Sequence, residues 1–149
     1  MKDKTLPRNW RNNNPLNIRK TKDNWKGLAT TQNDKSFFIF KSMKWGWRAA
    51  FVLLFKYYKK YGLVTIRQII TRWAPPEENN TLNYVEWVAA ATDMPPTEML
   101  PPPNDENKSL WLRMALAMAW YEGRIQPADM VRAGIDEEQD GWNMALCAE

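Results

Sequence analysis

Trp73-Ala74-Pro75-Pro76-Glu77-Glu78-Asn79-Asn80-Thr81 interrupts two helical patterns in the middle of a 149-residue chain. Before it, Ile66, Ile69, Ile70 and Trp73 fall at i, i+3, i+4 and i+7, one apolar face of a helix. Two prolines then block continuation, because each lacks an N–H and its ring clashes with the preceding turn. Thr81 is placed to cap the next helix, where Leu82, Val85, Val88 and Ala89 resume the spacing. Two carboxylates and two amides lie between stop and start. Polar groups on a short loop held by packed helices are what a binding or catalytic site requires.

Working outward, the pattern stays helical. Trp47, Ala50, Phe51, Leu54, Tyr57, Tyr58 and Tyr61 trace one face of a helix, with Ser42 as its expected cap and Gly62 as its stop. Thr65 caps the short helix that leads to the double proline. A proline-rich connector, 93–104, follows, with one short helical turn expected at 97–100. Asp105 or Asn107 then caps a helix that runs to Glu122. Only Arg113 is charged from 110 to 121, which predicts a helix buried on most sides. Two short helices, near 127–133 and 136–145, close the chain. In the N-terminal part, Ser36-Phe37-Phe38-Ile39-Phe40 is short and aromatic, one strand of a small hairpin. The expected architecture is therefore mainly α, one domain over 1–149, with a small N-terminal β-hairpin.

Composition narrows the chemistry. The chain holds no histidine and one cysteine, Cys147. Histidine-based zinc sites, Ser/His/Asp triads and intrachain disulfides are excluded, and no cofactor or metal is expected. The longest apolar run, 49–55, is far short of the ~20 residues of a membrane span. No signal peptide is visible, so synthesis in the cytoplasm is expected. Charge is unevenly placed: residues 1–73 hold 17 Lys/Arg against 3 Asp/Glu, and residues 74–149 hold 4 against 14. Either the two parts attract each other, or a basic surface faces a polyanion such as nucleic acid, lipopolysaccharide or cell-wall polymer.

The basic part opens on Arg11-Asn12-Asn13-Asn14-Pro15-Leu16-Asn17-Ile18-Arg19. Asparagine favours turns because its amide bonds nearby backbone, so this is an ordered loop. It is either a ligand-binding set of amides and guanidiniums or a self-contained hydrogen-bonded network.

This loop, followed by Trp25-Lys26-Gly27-Leu28, Arg48-Ala49-Ala50, Tyr61-Gly62 and Trp73-Ala74-Pro75-Pro76 with Glu78-Asn79 and Tyr84, resembles a phage and prophage family over about residues 9–92. Members of that family carry the labels structural protein or virion-associated peptidoglycan hydrolase. The family in turn resembles lysozyme-like muramidases and lytic transglycosylases. Asn17-Ile18-Arg19 with Trp25-x-Gly27 is also similar to part of the cell-wall glucosaminidases. The resemblance implies a lysozyme-like helical domain and a peptidoglycan or other cell-wall glycan as partner, with other virion proteins as further partners. It also implies a protein associated with the virion or delivered to the cell wall.

Glycoside cleavage needs a carboxylic acid, usually with a second carboxylate. Glu78 is the candidate acid, and Asn14, Asn17, Arg19, Trp25, Trp73, Asn79, Thr81 and Tyr84 are the candidate substrate-binding residues. Asp23 is the candidate second carboxylate. The chain departs from lysozyme-like enzymes in one respect. It has no Glu before position 77, so their early-helix acid has no counterpart here. Two alternatives stand beside glycosidase activity. One is a non-catalytic phage structural or wall-binding module, in which Glu77 and Glu78 only cap a helix. The other, least favoured, is nucleic-acid binding through residues 1–73, whose cations are scattered in sequence and form no known motif.

Overall fold

The computed structural model describes residues 6–124 and 137–148. Six α-helices lie among them: α1 (Arg8–Arg11), α2 (Met43–Lys59), α3 (Ile66–Trp73), α4 (Thr81–Thr92), α5 (Lys108–Gly123) and α6 (Glu138–Cys147). The helix expected near 127–133 lies outside the described residues. The chain divides into two compact units, Met1–Val52 with Glu122–Glu149, and Leu53–Tyr121, with the boundaries falling inside α2 and α5.

The first unit packs around tryptophan. Trp10, Trp47 and Trp142 are fully buried. Trp10 meets Trp47 edge-on at 6.3 Å between ring centres, and Phe51 meets Trp142 edge-on at 5.3 Å. These are the offset geometries that the ring quadrupoles favour. Glycines allow close approaches. A Cβ at Gly46 would lie 1.9 Å from the Asn13 carbonyl, one at Gly141 2.4 Å from Trp47, and one at Gly123 2.3 Å from Asn9 Oδ1.

The expected hairpin is absent. Among the described residues there is no strand, only two isolated antiparallel bridges, Arg19 with Phe37 and Leu28 with Phe40. The aromatic run changes partner along its length. Lys20 N–H donates to Ser36 and Phe38 N–H to Ile18, but Ala29 N–H donates to Ile39 and Lys41 N–H to Gly27. Side-chain amides replace the missing ladder. Ile39 donates its N–H to Gln32 Oε1 at 2.9 Å and accepts from Gln32 Nε2 at 2.6 Å. Asn14 and Asn13 donate to the carbonyls of Phe38 and Phe40, each at 2.9 Å. The aromatic run therefore has its backbone satisfied as a strand would, without a regular partner.

The second unit holds the rest of α2, α3, α4 and most of α5. Thr65 and Gln68 form a reciprocal capping box at the start of α3. On α5, Trp111, Met114, Ala115, Ala117, Met118 and Ala119 are buried, as the uncharged run predicts. The proline-rich connector is tied down. Leu100 N–H donates to Val64 at 2.8 Å, Tyr58 OH donates to Leu100 at 2.7 Å, and Trp111 Nε1 donates to Pro101 at 3.1 Å. No helix forms at 97–100; the chain makes a turn closed by the Glu98 N–H donating to the Pro95 carbonyl at 3.1 Å.

Two caps differ from expectation. Asn80, not Thr81, caps α4, accepting from Asn83 N–H through Oδ1. At α2, the Ser42 hydroxyl is buried without a hydrogen-bond partner, and Glu137 Oε2 accepts from Lys44 N–H at 2.9 Å instead.

Candidate functional site

The asparagine-rich loop belongs to the first unit and the double-proline bend to the second.

In the loop, Asn13 and Asn17 stand at φ of +53° and +52°. That left-handed region is strained for most residues and tolerated by asparagine, which accounts for the residue type at both places. Asn14 is fully buried. Its Nδ2 donates to the carbonyls of Ile18 and Phe38, and its Oδ1 accepts from Ile18 N–H at 2.8 Å. Asn9 Nδ2 donates to the Pro15 carbonyl at 2.9 Å, and Phe40 N–H donates to the Asn12 carbonyl at 2.9 Å. Asn17 Nδ2 donates to Glu122 Oε1 at 3.1 Å. The Nδ2 groups of Asn9, Asn13, Asn14 and Asn17 thus donate within the first unit, while Oδ1 of Asn13 and of Asn17 is buried without a hydrogen-bond partner among the described residues.

Asp34 is the centre of the same region. It accepts from Arg8 Nε at 2.6 Å and Nη2 at 2.5 Å, from Asn12 Nδ2 at 2.9 Å, and from the N–H groups of Ser36 and Phe37. The Arg8 guanidinium is the main reason its carboxyl is held well below the usual carboxylate range, and the Ser36, Asn12 and Phe37 donors add to it. Arg8 also lies 4.7 Å from the centre of the Phe37 ring, and Arg19 lies 5.5 Å from the same ring. Asp34 has no assigned role in the sequence reading. Its signal is local, since an Asp that opens a turn takes the N–H groups two and three residues on, here those of Ser36 and Phe37.

Trp25 is half-buried, with its Nε1 enclosed and without a hydrogen-bond partner. Gly27 stands at φ +79°, and a Cβ there would lie 2.1 Å from the Trp45 ring. The Trp25-Lys26-Gly27 motif is therefore a turn closed over an indole. Asp23 is exposed and accepts from Thr21 Oγ1 at 2.7 Å.

At the bend, Glu78 N–H donates to the Pro75 carbonyl at 3.0 Å and Asn79 Nδ2 donates to the same carbonyl at 3.2 Å. Thr81 Oγ1 donates to the Ala74 carbonyl at 2.5 Å. Pro75 and Ala74 thus bear the contacts that shape the turn. Glu77, Glu78 and Asn79 lie exposed upon it. Trp73 is half-buried, meeting Tyr57 edge-on at 5.8 Å. Tyr84 is buried, donates its OH to Met118 at 3.3 Å and stacks on Tyr121 at 4.0 Å. The bend gathers Trp73, Glu78, Asn79 and Thr81 on one turn, and the loop gathers Asn14, Asn17 and Arg19.

Two further features escape sequence reading. Trp87 stacks on Trp120 at 4.1 Å, its ring fixed by an Nε1 donation to Ala117 at 2.9 Å. Glu138, at the start of α6, is buried with Oε2 unpartnered, and burial pushes its carboxyl well above the ordinary glutamate range. Among the described residues no cluster of three or more acidic, cysteine or histidine side chains is placed to hold a metal, and no helix is long and apolar enough to cross a membrane.

The chain is similar to a phage protein. It is 45% identical over 102 residues to Protein P5 of Pseudoalteromonas phage PM2, a match covering 66% of this chain and 62% of that one. It thus spans less than two thirds of the relative's length. No family model matches the chain.

Proposed function

We propose that this chain is a structural component of a phage or prophage particle and cleaves no glycan. The similarity to Protein P5 of phage PM2 carries the reading. The disposition of the candidate residues supports it. A general acid in glycoside cleavage works from an enclosed carboxyl, whereas Glu78 lies open on its turn. Asn14, Thr81 and Tyr84 are buried and engaged with backbone carbonyls. The exposed members of the set, Arg19, Glu78 and Asn79, serve contacts to neighbouring proteins or to the cell wall.

The test has two arms. Mass spectrometry of purified particles is expected to find the chain at constant stoichiometry through successive density gradients. Purified protein incubated with peptidoglycan is expected to release no muropeptides. Release by the wild type that Glu78→Gln abolishes, with the melting temperature unchanged, restores the peptidoglycan glycosidase or lytic transglycosylase reading and overturns this one. Loss of the chain from purified particles also overturns it.

A further inference from the structure

Residues 53–76 contain Lys56, Lys59, Lys60, Arg67 and Arg72 and no Asp or Glu. All five cations are exposed. The fold gathers three of them on one ring. The Arg72 guanidinium lies 5.1 Å from the centre of Tyr61, Lys56 Nζ 5.8 Å and Lys60 Nζ 5.9 Å. Arg72 also lies 5.6 Å from the Tyr57 ring. Tyr57 contacts Tyr61 at 6.2 Å and Trp73 at 5.8 Å, so the three rings form one aromatic base. Tyr61 is 42% exposed. Among the described residues, none of the three cations forms an ion pair with a carboxylate.

The negative ends of α2 and α3 account for cations in their last turns. They do not account for three like charges on a single exposed ring without a counter-ion. Such a group focuses positive potential and suits a ligand with closely spaced anionic groups. The rings decide among polyanions. Single-stranded nucleic acid binds largely by stacking bases on free aromatic faces, and here cations stand over the rings. Binding at a bilayer surface scales with the apolar area inserted, and one partly exposed tyrosine offers little of it. The backbone of duplex DNA needs only positioned cations.

We propose that Lys56, Lys60 and Arg72, assembled around Tyr61, form a sequence-independent contact with the phosphate backbone of duplex DNA. The contact goes beyond the virion reading and stands without it. Fluorescence anisotropy of the full chain with a labelled mixed-sequence duplex, from about 50 to about 200 mM salt, tests it. The logarithm of the association constant is expected to fall against the logarithm of salt concentration with a slope of about −2.7, from three contacts at about 0.9 each. Lys56→Gln/Lys60→Gln is expected to reduce the slope to about −0.9. Lys22→Gln/Lys41→Gln removes equal charge elsewhere and is expected to leave the slope unchanged. Circular dichroism checks folding. If the Lys56/Lys60 variant unfolds, Arg72→Gln alone is expected to make the slope shallower, at about −1.8. Absence of binding at the lowest salt overturns the proposal. So does an unchanged slope in both patch variants, an equal loss in the control, or tighter binding to phosphatidylglycerol vesicles than to the duplex.

Discussion

At Asn14 and Gly27 the backbone sets a demand that the residue type meets. Asn14→Ala is expected to cost about 3 kcal/mol, because it removes two donors and an acceptor from buried backbone partners. Chemical denaturation with an unchanged slope against denaturant checks it. Gly27→Ala is expected to destabilise by about 2 kcal/mol or more, since the added methyl meets the Trp45 ring and the left-handed backbone suits glycine. A thermal shift of several degrees is the readout. The asparagine-rich loop was legible as an ordered turn, because asparagine's preference is local. That its amides would turn inward was not legible, since their partners at residues 38, 40 and 122 are remote in sequence.

At the scale of elements, α2 to α5 followed from apolar spacing and the breaks from proline and glycine, whereas the single turn of α1, Arg8–Arg11, was not anticipated. The caps show where local reasoning stops. Asn80 takes the cap because Thr81 turns its hydroxyl back to Ala74, closing the bend. Asn80→Ala is expected to cost about 1 kcal/mol, and Thr81→Val a similar amount through the lost Ala74 contact, each read from the denaturation midpoint. At α2 the accepting oxygen comes from Glu137, 93 positions along the chain from Lys44. No local pattern could supply that. The hairpin failed as an expectation for a related reason. A short aromatic run favours extended backbone, but whether it meets a strand or a set of side-chain amides depends on what folds beside it.

At the scale of the whole molecule, two carboxyls drive stability in opposite directions with pH. Asp34 has a folded pKa below its unfolded value of about 3.9, so its contribution is present above that pH and lost as pH falls further. Glu138 has a folded pKa above its unfolded value of about 4.3. Its protonated form is favoured in the fold, and that contribution is lost as pH rises through the folded pKa. Glu138→Gln is therefore expected to raise the melting temperature at neutral pH by a few degrees, with the gain shrinking toward pH about 4. Asp34→Asn is expected to lower it at neutral pH, with the loss shrinking as pH falls below about 4. Melting curves across pH for both variants check the two signs.

What the sequence determined by itself was the helical class, the positions of the helix breaks, the turn character of both polar loops and the exclusion of histidine chemistry. All of these rest on interactions within a few residues. Tertiary structure alone decided which amides were consumed by backbone, which carboxyls were buried and which cations converged. Burial and charge clustering depend on chain segments far apart in sequence, and composition records their charges without their distances. Scattered lysines and an arginine became a single positive surface only because two helices end beside the same tyrosine.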